Sequence, residues 1–312
     1  MTAPIPSPLL QGVTPVLDTL GVIRAEGPDA AAFLHGQLTQ DFVLMGANDA
    51  RLAALCTPKG RMIASFIGLR AAPELILLVC SRDLLAATLK RLSMYVLRAK
   101  VKLSDASADM AVRGLAGAAL AANGIDAGAP PWRCTALGEA HAVTLLPADG
   151  VPRALWIGPA AAPAPQGEAL DAAAWAWSEV RSGVVTVSTP VVEAFVPQML
   201  NYESVDGVNF KKGCYPGQEV VARSQFRGTL KRRAYLVQAD AALAAGEEVF
   251  AAGDAEQPVG TVAQAAPAPG GGWAAMVSMQ IAALEAGSLH AGTADGPALA
   301  VQPLPYPLRD DI

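Results

Sequence analysis

The chain has 312 residues, 28 acidic against 23 basic, a net charge of -5 and 52% hydrophobic residues. At roughly 100 to 150 residues per domain, that length predicts two or three domains with sizeable cores, and the acidic balance argues against a protein that coats nucleic acid. Cysteines at 56, 80, 134 and 214 and histidines at 35, 141 and 290 lie far apart with no ligand spacing, a pattern that speaks against a disulfide framework and a self-contained zinc or iron-sulfur site.

The first residues, MTAPIPSPLLQGVTP, carry prolines where a secretory signal has a basic and then an apolar region, so the expected compartment is the cytoplasm. GPDAAAFLHGQLTQD, opened by Pro28, places Phe33, Leu34, Gln37 and Leu38 on one face of a helix. RLAALCT and RMIASFIGLR flank the turn at 58–60, Pro-Lys-Gly, which predicts a hairpin. LILLVC at 75–80 is the longest strongly apolar run. It falls far short of the roughly 18 residues a membrane span needs, so no membrane partner is expected. Ser81 is placed to cap a helix from Arg82 to Val96 with Leu84, Leu85, Leu89 and Leu92 as its core stripe, and KVKLSD follows as a strand. Strands, a helix and a further strand predict an α+β unit over 44–107.

The Pro/Ala/Gly stretches at 158–167 and 265–273 read as exposed connections, and the abundant alanine reads as genome bias. Between them LDAAAWAWSEVRSGV reads as a helix with Trp175 and Trp177 near its start. Beyond 233, short runs such as RAYLVQA, EEVFAAG, PVGTVAQAA and WAAMVSM, punctuated by glycine, predict a small antiparallel barrel or sandwich.

KKGCYPGQEVVAR, at 211–223, concentrates the chemistry. Gly213 and Gly217 remove side chains on either side of Cys214-Tyr215-Pro216, permitting a tight turn and close approach of backbone amides to a ligand. Pro216 suits the first turn of a helix through GQEVVARSQF, with Glu219 complementing its positive end. A cysteine just before a helix N-terminus, with Lys211 and Lys212 beside it, favours thiolate; the alternative is a small apolar filler under a turn. Gln218 and Glu219 can read the donor/acceptor edge of a heterocycle or only cap the helix. Over 211–233 seven cations (Lys211, Lys212, Arg223, Arg227, Lys231, Arg232, Arg233) face one acid, Glu219, which suits either a polyanion or a charged, solvated edge.

The stretch Lys212, Gly213, Cys214, Tyr215, Gly217, Gln218, Glu219 resembles the signature of the YgfZ family of folate-binding proteins, related to the aminomethyltransferase (T-protein) of the glycine cleavage system. FLHGQLTQD at 33–41, PKGRM at 58–62, YVLRAKV at 95–101, FVPQMLN at 195–201, VNFKKG at 208–213 and VARSQFRGTLKR at 221–232 extend the resemblance along most of the chain. It implies an α+β fold of three domains in an aminomethyltransferase-like ring around a central folate channel. A discontinuous folate-binding-type domain (1–43 and 108–232) would receive the 44–107 unit as an insert, and a C-terminal β-barrel (233–312) would close the chain. The implied cofactor is tetrahydrofolate or a derivative. The implied function is support of iron-sulfur cluster assembly or repair and, through it, of tRNA modification, with iron-sulfur assembly or client proteins as partners.

In that reading Cys214 acts as a thiolate toward a partner or a transferred group, one cysteine being too few to hold a cluster, and Lys212 orients the loop or holds a carboxylate. Gly213, Tyr215, Gly217, Gln218, Glu219, Arg223, Asn201 and Lys59 are the candidate ligand-binding residues. Lys59 and Arg61 can meet the folate glutamate tail or be ordinary turn charges, and His35, near Gln37 and Asp41, fits a structural role better than ligand contact. The chain departs from the T-protein pattern at Glu74, a loose counterpart of its folate-positioning aspartate, and at VRSGV around Arg181, which lacks its pterin-reading glutamate. Two alternatives stay open: a folate-dependent aminomethyltransferase, and a tRNA-binding module that uses the 211–233 cations.

Overall fold

The structure, a computed structural model, describes residues 9–226, 230–253, 256–285 and 287–309. The start of the N-terminal segment read above, at 1–8, and Arg227 lie outside the described residues. The first half of the chain runs β1 (Gly12–Val13), β2 (Leu20–Glu26), α1 (Ala30–Gln37), β3 (Ala50–Cys56), β4 (Met62–Ala72), β5 (Leu75–Ser81), α2 (Arg82–Ser93) and β6 (Lys102–Asp105). It continues with β7 (Met110–Ala116), α3 (Ala118–Ala122), β8 (Cys134–Leu137), β9 (Ala140–Ala148), β10 (Val151–Pro159), α4 (Ala172–Arg181) and α5 (Gln218–Phe226). The remainder is β11 (Arg232–Ala239), β12 (Glu248–Ala251), β13 (Gly260–Pro267), β14 (Trp273–Gln280), β15 (Leu289–Ala291) and β16 (Ala298–Gln302).

These strands form two five-stranded sheets, ordered β3-β4-β5-β2-β6 and β1-β7-β10-β9-β8, and a closed barrel, β11-β14-β13-β12-β15-β16. The expected hairpin across Pro58-Lys59-Gly60 is the antiparallel β3/β4 pair. The strands expected within 44–107 do not close on themselves, because β2 lies between β5 and β6 and hydrogen-bonds to both. The sheet therefore draws on residues before 44, for the reason that β5 needs a partner on each side to satisfy its backbone.

The run LILLVC is apolar throughout because both faces of β5 are covered. Leu77 and Val79 join Leu52 and Leu69 in a core shared with Val112, Val143 and Leu155 of the other sheet and with Trp175. Ile76, Leu78 and Cys80 face the opposite way, among Phe33, Leu34, Leu85 and Leu92 of α1 and α2. Ser81 sits at the α2 cap, but its hydroxyl donates to Asp83 rather than accepting a backbone amide. Alanine is more than genome bias: Ala263, Ala266 and Ala274 are buried in the shared core where β13 and β14 lie against α4. Small side chains there let helix and barrel wall approach closely. The 265–273 connection is correspondingly shorter than its composition suggests, since β13 runs to Pro267 and β14 starts at Trp273.

One buried polar cluster fastens the barrel to the rest. Asn201, left-handed at φ 58°, donates to Ala234 O at 2.8 Å and accepts from Ala234 N at 3.2 Å. Arg233 pairs with the Glu203 carboxylate, whose side chain is 0% exposed, and donates to Arg309 O at 3.1 Å. Tyr306 Oη donates to Gly183 O at 2.8 Å, so the C-terminal segment lies across the middle of the chain.

Candidate functional site

The residues after α1 grip the segment that leads into the cysteine loop. Thr39 Oγ1 donates to Gly207 O at 2.7 Å, Gln40 Nε2 to Asp206 O at 2.8 Å, and Thr39 O accepts from Asn209 N at 2.9 Å. Asn209 Oδ1 then accepts the amides of Lys211 at 2.8 Å and Lys212 at 3.1 Å, a side-chain-made turn that bends the backbone at the two lysines. As a result Lys212 turns inward, 7% exposed. Its Nζ donates to Gly213 O at 3.1 Å and lies 4.5 Å from the centre of the Tyr215 ring. Cys214 stays exposed, whereas Cys56, Cys80 and Cys134 are buried. The apolar-filler reading thus fails for Cys214 and holds for the other three, whose thiols burial pushes up to about 12, 12 and 11.

The loop rests on the Pro-Lys-Gly turn. Gly217 (φ 83°) and Gly60 (φ 71°) stand back to back, and a Cβ on Gly217 would come within 2.4 Å of Thr57 O and 2.8 Å of Gly60 Cα. This left-handed glycine also corrects the helix start: position 217 cannot be helical, so α5 begins at Gln218 and Pro216 stays in the turn. Cys214 therefore lies a full turn before the helix. Lys59, exposed between β3 and β4, is carried to the same edge by Gly60.

Gln218 and Glu219 open α5, and Glu219 pairs with Arg223 one turn on, both largely exposed. With Ala222 and Phe226 they line an open hollow of about 240 Å³, beside which Phe226 is 66% exposed. Asn201, near the loop in sequence, is remote in role: it is fully buried and its amide is committed to β11, so it is a fastener and not a ligand group. The 211–233 cations are not one surface either. Lys212 points inward, Arg233 is buried against Glu203, and Arg232 donates to Val259 O at 3.1 Å. Lys211, Arg223 and Lys231 are exposed.

Two groups join the site: His35, which the sequence placed in a structural role, and Glu179, which spacing did not single out. His35 Nδ1 is 3.0 Å from Asp41 Oδ1, and Leu44 N donates to the same oxygen at 2.9 Å. Burial alone would raise the Asp41 carboxyl, but the Leu44 amide and the His35 ring outweigh it and hold it below its usual range. Glu179 of α4 lines the space between the two sheets. There burial lifts its carboxyl to about 6, against the opposing pull of Arg153 and the Trp175 N–H. A lone carboxylate between Trp175 and Val180, in a stretch apolar but for Ser178, was the available signal. Arg181, in the VRSGV stretch that lacks the pterin-reading glutamate, holds Asp149 through Nε at 2.9 Å. Among the described residues no three metal-ligating side chains converge, and no helix is long and apolar enough to cross a membrane.

Burial lowers the Lys212 ammonium from 10.5 to about 8, with Asp41 and Cys214 opposing. Between those values the unfolded chain keeps a proton that the folded chain has released, so stability rises with pH across that window and falls back as pH drops through 8. In Lys212→Met that component of the rise is expected to vanish. Urea titrations of both proteins at several pH values check it, and identical pH slopes would refute the burial of a charged lysine.

Two sheets sharing one core, closed off by a six-stranded barrel, define a protein of the aminomethyltransferase fold. The crystal structure of glycine cleavage system aminomethyltransferase T from Bartonella henselae matches it with a TM-score of 0.66 at 17% identity, over 95% of this chain and 87% of that one. The tRNA-modifying protein YgfZ of Sodalis glossinidius is 30% identical over 320 residues, 98% of this chain and 97% of the relative. Its counterpart in Serratia proteamaculans is 29% identical over 312 residues, 95% of this chain and 92% of that protein. No family model matches the sequence. The chain belongs to the YgfZ family.

Proposed function

We propose that this protein binds tetrahydrofolate or a related reduced folate and supports iron-sulfur cluster assembly or repair, and thereby tRNA modification, through the loop that carries Lys212 and Cys214. The observation that carries the reading is kinship over nearly the whole chain with proteins named for tRNA modification, on the fold of a glycine cleavage aminomethyltransferase. An exposed thiol on a loop braced by an inward lysine fits a group that meets a partner at the surface.

The pterin fit is mixed. The space between the sheets, lined by Leu52, Leu145, Leu155, Glu179 and Tyr202, measures about 40 Å³. Glu179 supplies a carboxyl suited to the amino edge of a pterin, but that volume holds waters and not a bicyclic ring. Folate entry there requires the two sheets to part. The open hollow beside α5 is lined by one helix face, which offers a ring the exposed Phe226 to stack on and Arg223 and Glu219 as polar partners but does not enclose it.

Calorimetric titration with tetrahydrofolate tests the proposal. Wild type and Cys214→Ala are expected to bind alike, since the thiol serves a step after capture. Lys212→Ala is expected to bind at least about tenfold more weakly, a loss near 1.4 kcal/mol, because the loop loses its internal brace. Glu179→Gln and Arg223→Ala then distinguish the inter-sheet space from the hollow. Absence of binding to wild type at millimolar ligand would remove the folate reading, and methylene transfer to a lipoylated carrier would replace it with a transferase.

A further inference from the structure

We infer that His35 is the general base for Cys214, with Asp41 as the residue that orients it. The inference rests on Cys214 being the reacting group of the loop and adds the residues that would activate it.

The ring is held from one side. Asp41 Oδ1 takes the proton on His35 Nδ1 at 3.0 Å and is itself fixed by the Leu44 amide, which leaves the lone pair on Nε2. That second nitrogen faces the cysteine turn. It lies 3.5 Å from where a Cβ on Gly213 would stand, the one non-neighbouring heavy atom of the described residues within 4 Å of that point. Glycine at 213 thus keeps open the space between the imidazole and the peptide unit that carries the exposed Cys214 side chain. A thiol on the residue after Gly213, an imidazole facing that turn and a carboxylate behind the imidazole supply the members of the arrangement that thiol and hydroxyl chemistry repeatedly uses, whose contacts are often long until substrate is bound.

Among the described residues, Lys212 of the 209–217 loop lies near enough to Asp41 and Cys214 to feel both charges, and Arg51 of β3 donates to Asp41 O at 3.2 Å. Lys212 is the competing base, but its ammonium is turned onto Gly213 O and the Tyr215 ring. In the step itself the Cys214 thiol gives its proton to His35 Nε2. The imidazolium stays paired with the Asp41 carboxylate, and the thiolate keeps the electron pair with which it attacks an electrophilic centre of a partner or ligand.

Alkylation of the folded protein by iodoacetamide, followed by mass spectrometry across pH, reads this directly: the thiolate forms the S–C bond and iodide leaves with the C–I pair. Cys214→Ser controls for the three buried thiols, which stay silent. His35→Ala and Asp41→Asn are each expected to slow the reaction about tenfold at neutral pH relative to wild type. His35→Gln keeps a hydrogen bond to Asp41 without a basic nitrogen, so it should behave as His35→Ala. A profile in His35→Gln that overlays wild type, or a slowing seen only in Lys212→Met, would overturn the assignment. Because this readout needs no folate, slowing in the His35 variants with no tetrahydrofolate binding would sink the functional reading alone.

Discussion

Glu203→Gln is expected to destabilise the protein by about 3 to 5 kcal/mol, the loss typical of leaving one member of a buried ion pair unpaired. Arg233, 8% exposed at its side chain, would keep its charge with no counter-ion among the described residues, where its remaining contacts, to Asn201 Oδ1 at 3.4 Å and Arg309 O at 3.1 Å, are to neutral oxygens. Removing both charges should cost far less, so the double variant Glu203→Gln, Arg233→Met is expected to recover most of the loss. Urea unfolding followed through the barrel transition measures it. A loss below about 1 kcal/mol in the single variant would mean that the pair behaves as a surface contact.

Gly217→Ala should be nearly as damaging, at roughly 2 to 4 kcal/mol, and should also disable the site. Two penalties add. A left-handed residue with a Cβ costs about 1 to 2 kcal/mol, and here the Cβ would overlap Thr57 O at 2.4 Å and Gly60 Cα at 2.8 Å. Both obstacles are backbone, so neither can swing aside. Gly124→Ala isolates the first penalty, since Gly124 has φ 70° and open space around it. If the two substitutions lowered the melting temperature equally, the contact between the two turns would carry no weight.

The cysteine loop was readable because its chemistry is local: two glycines, a cysteine and a Pro-Gly turn occupy consecutive positions, and family resemblance extended that reading to the fold. What crosses the chain was not readable. Nothing in PKG announces that Gly60 will back onto Gly217, and nothing in FLHGQ announces that His35 will face Gly213. Asn201 misled for the converse reason, since nearness along the chain at a left-handed turn aimed it at β11 instead of the loop. The sheet built on β7, β9 and β10 was passed over because strands such as AHAVTLLPA mix small and large side chains, blurring the alternation that marks a strand. The helix start at 218 was displaced by one backbone angle that proline's preference could not foresee.

The clasp of Tyr306 on Gly183 and of Arg309 on Arg233 gives residues 306–309 a part in the middle of the molecule. A nascent chain that has reached the barrel but not residues 306–309 holds a central charge cluster without its outer wall, so that cluster should mature only once these residues have emerged. A substitution within 306–309 should therefore be felt at this central seam and not only at the edge of the barrel.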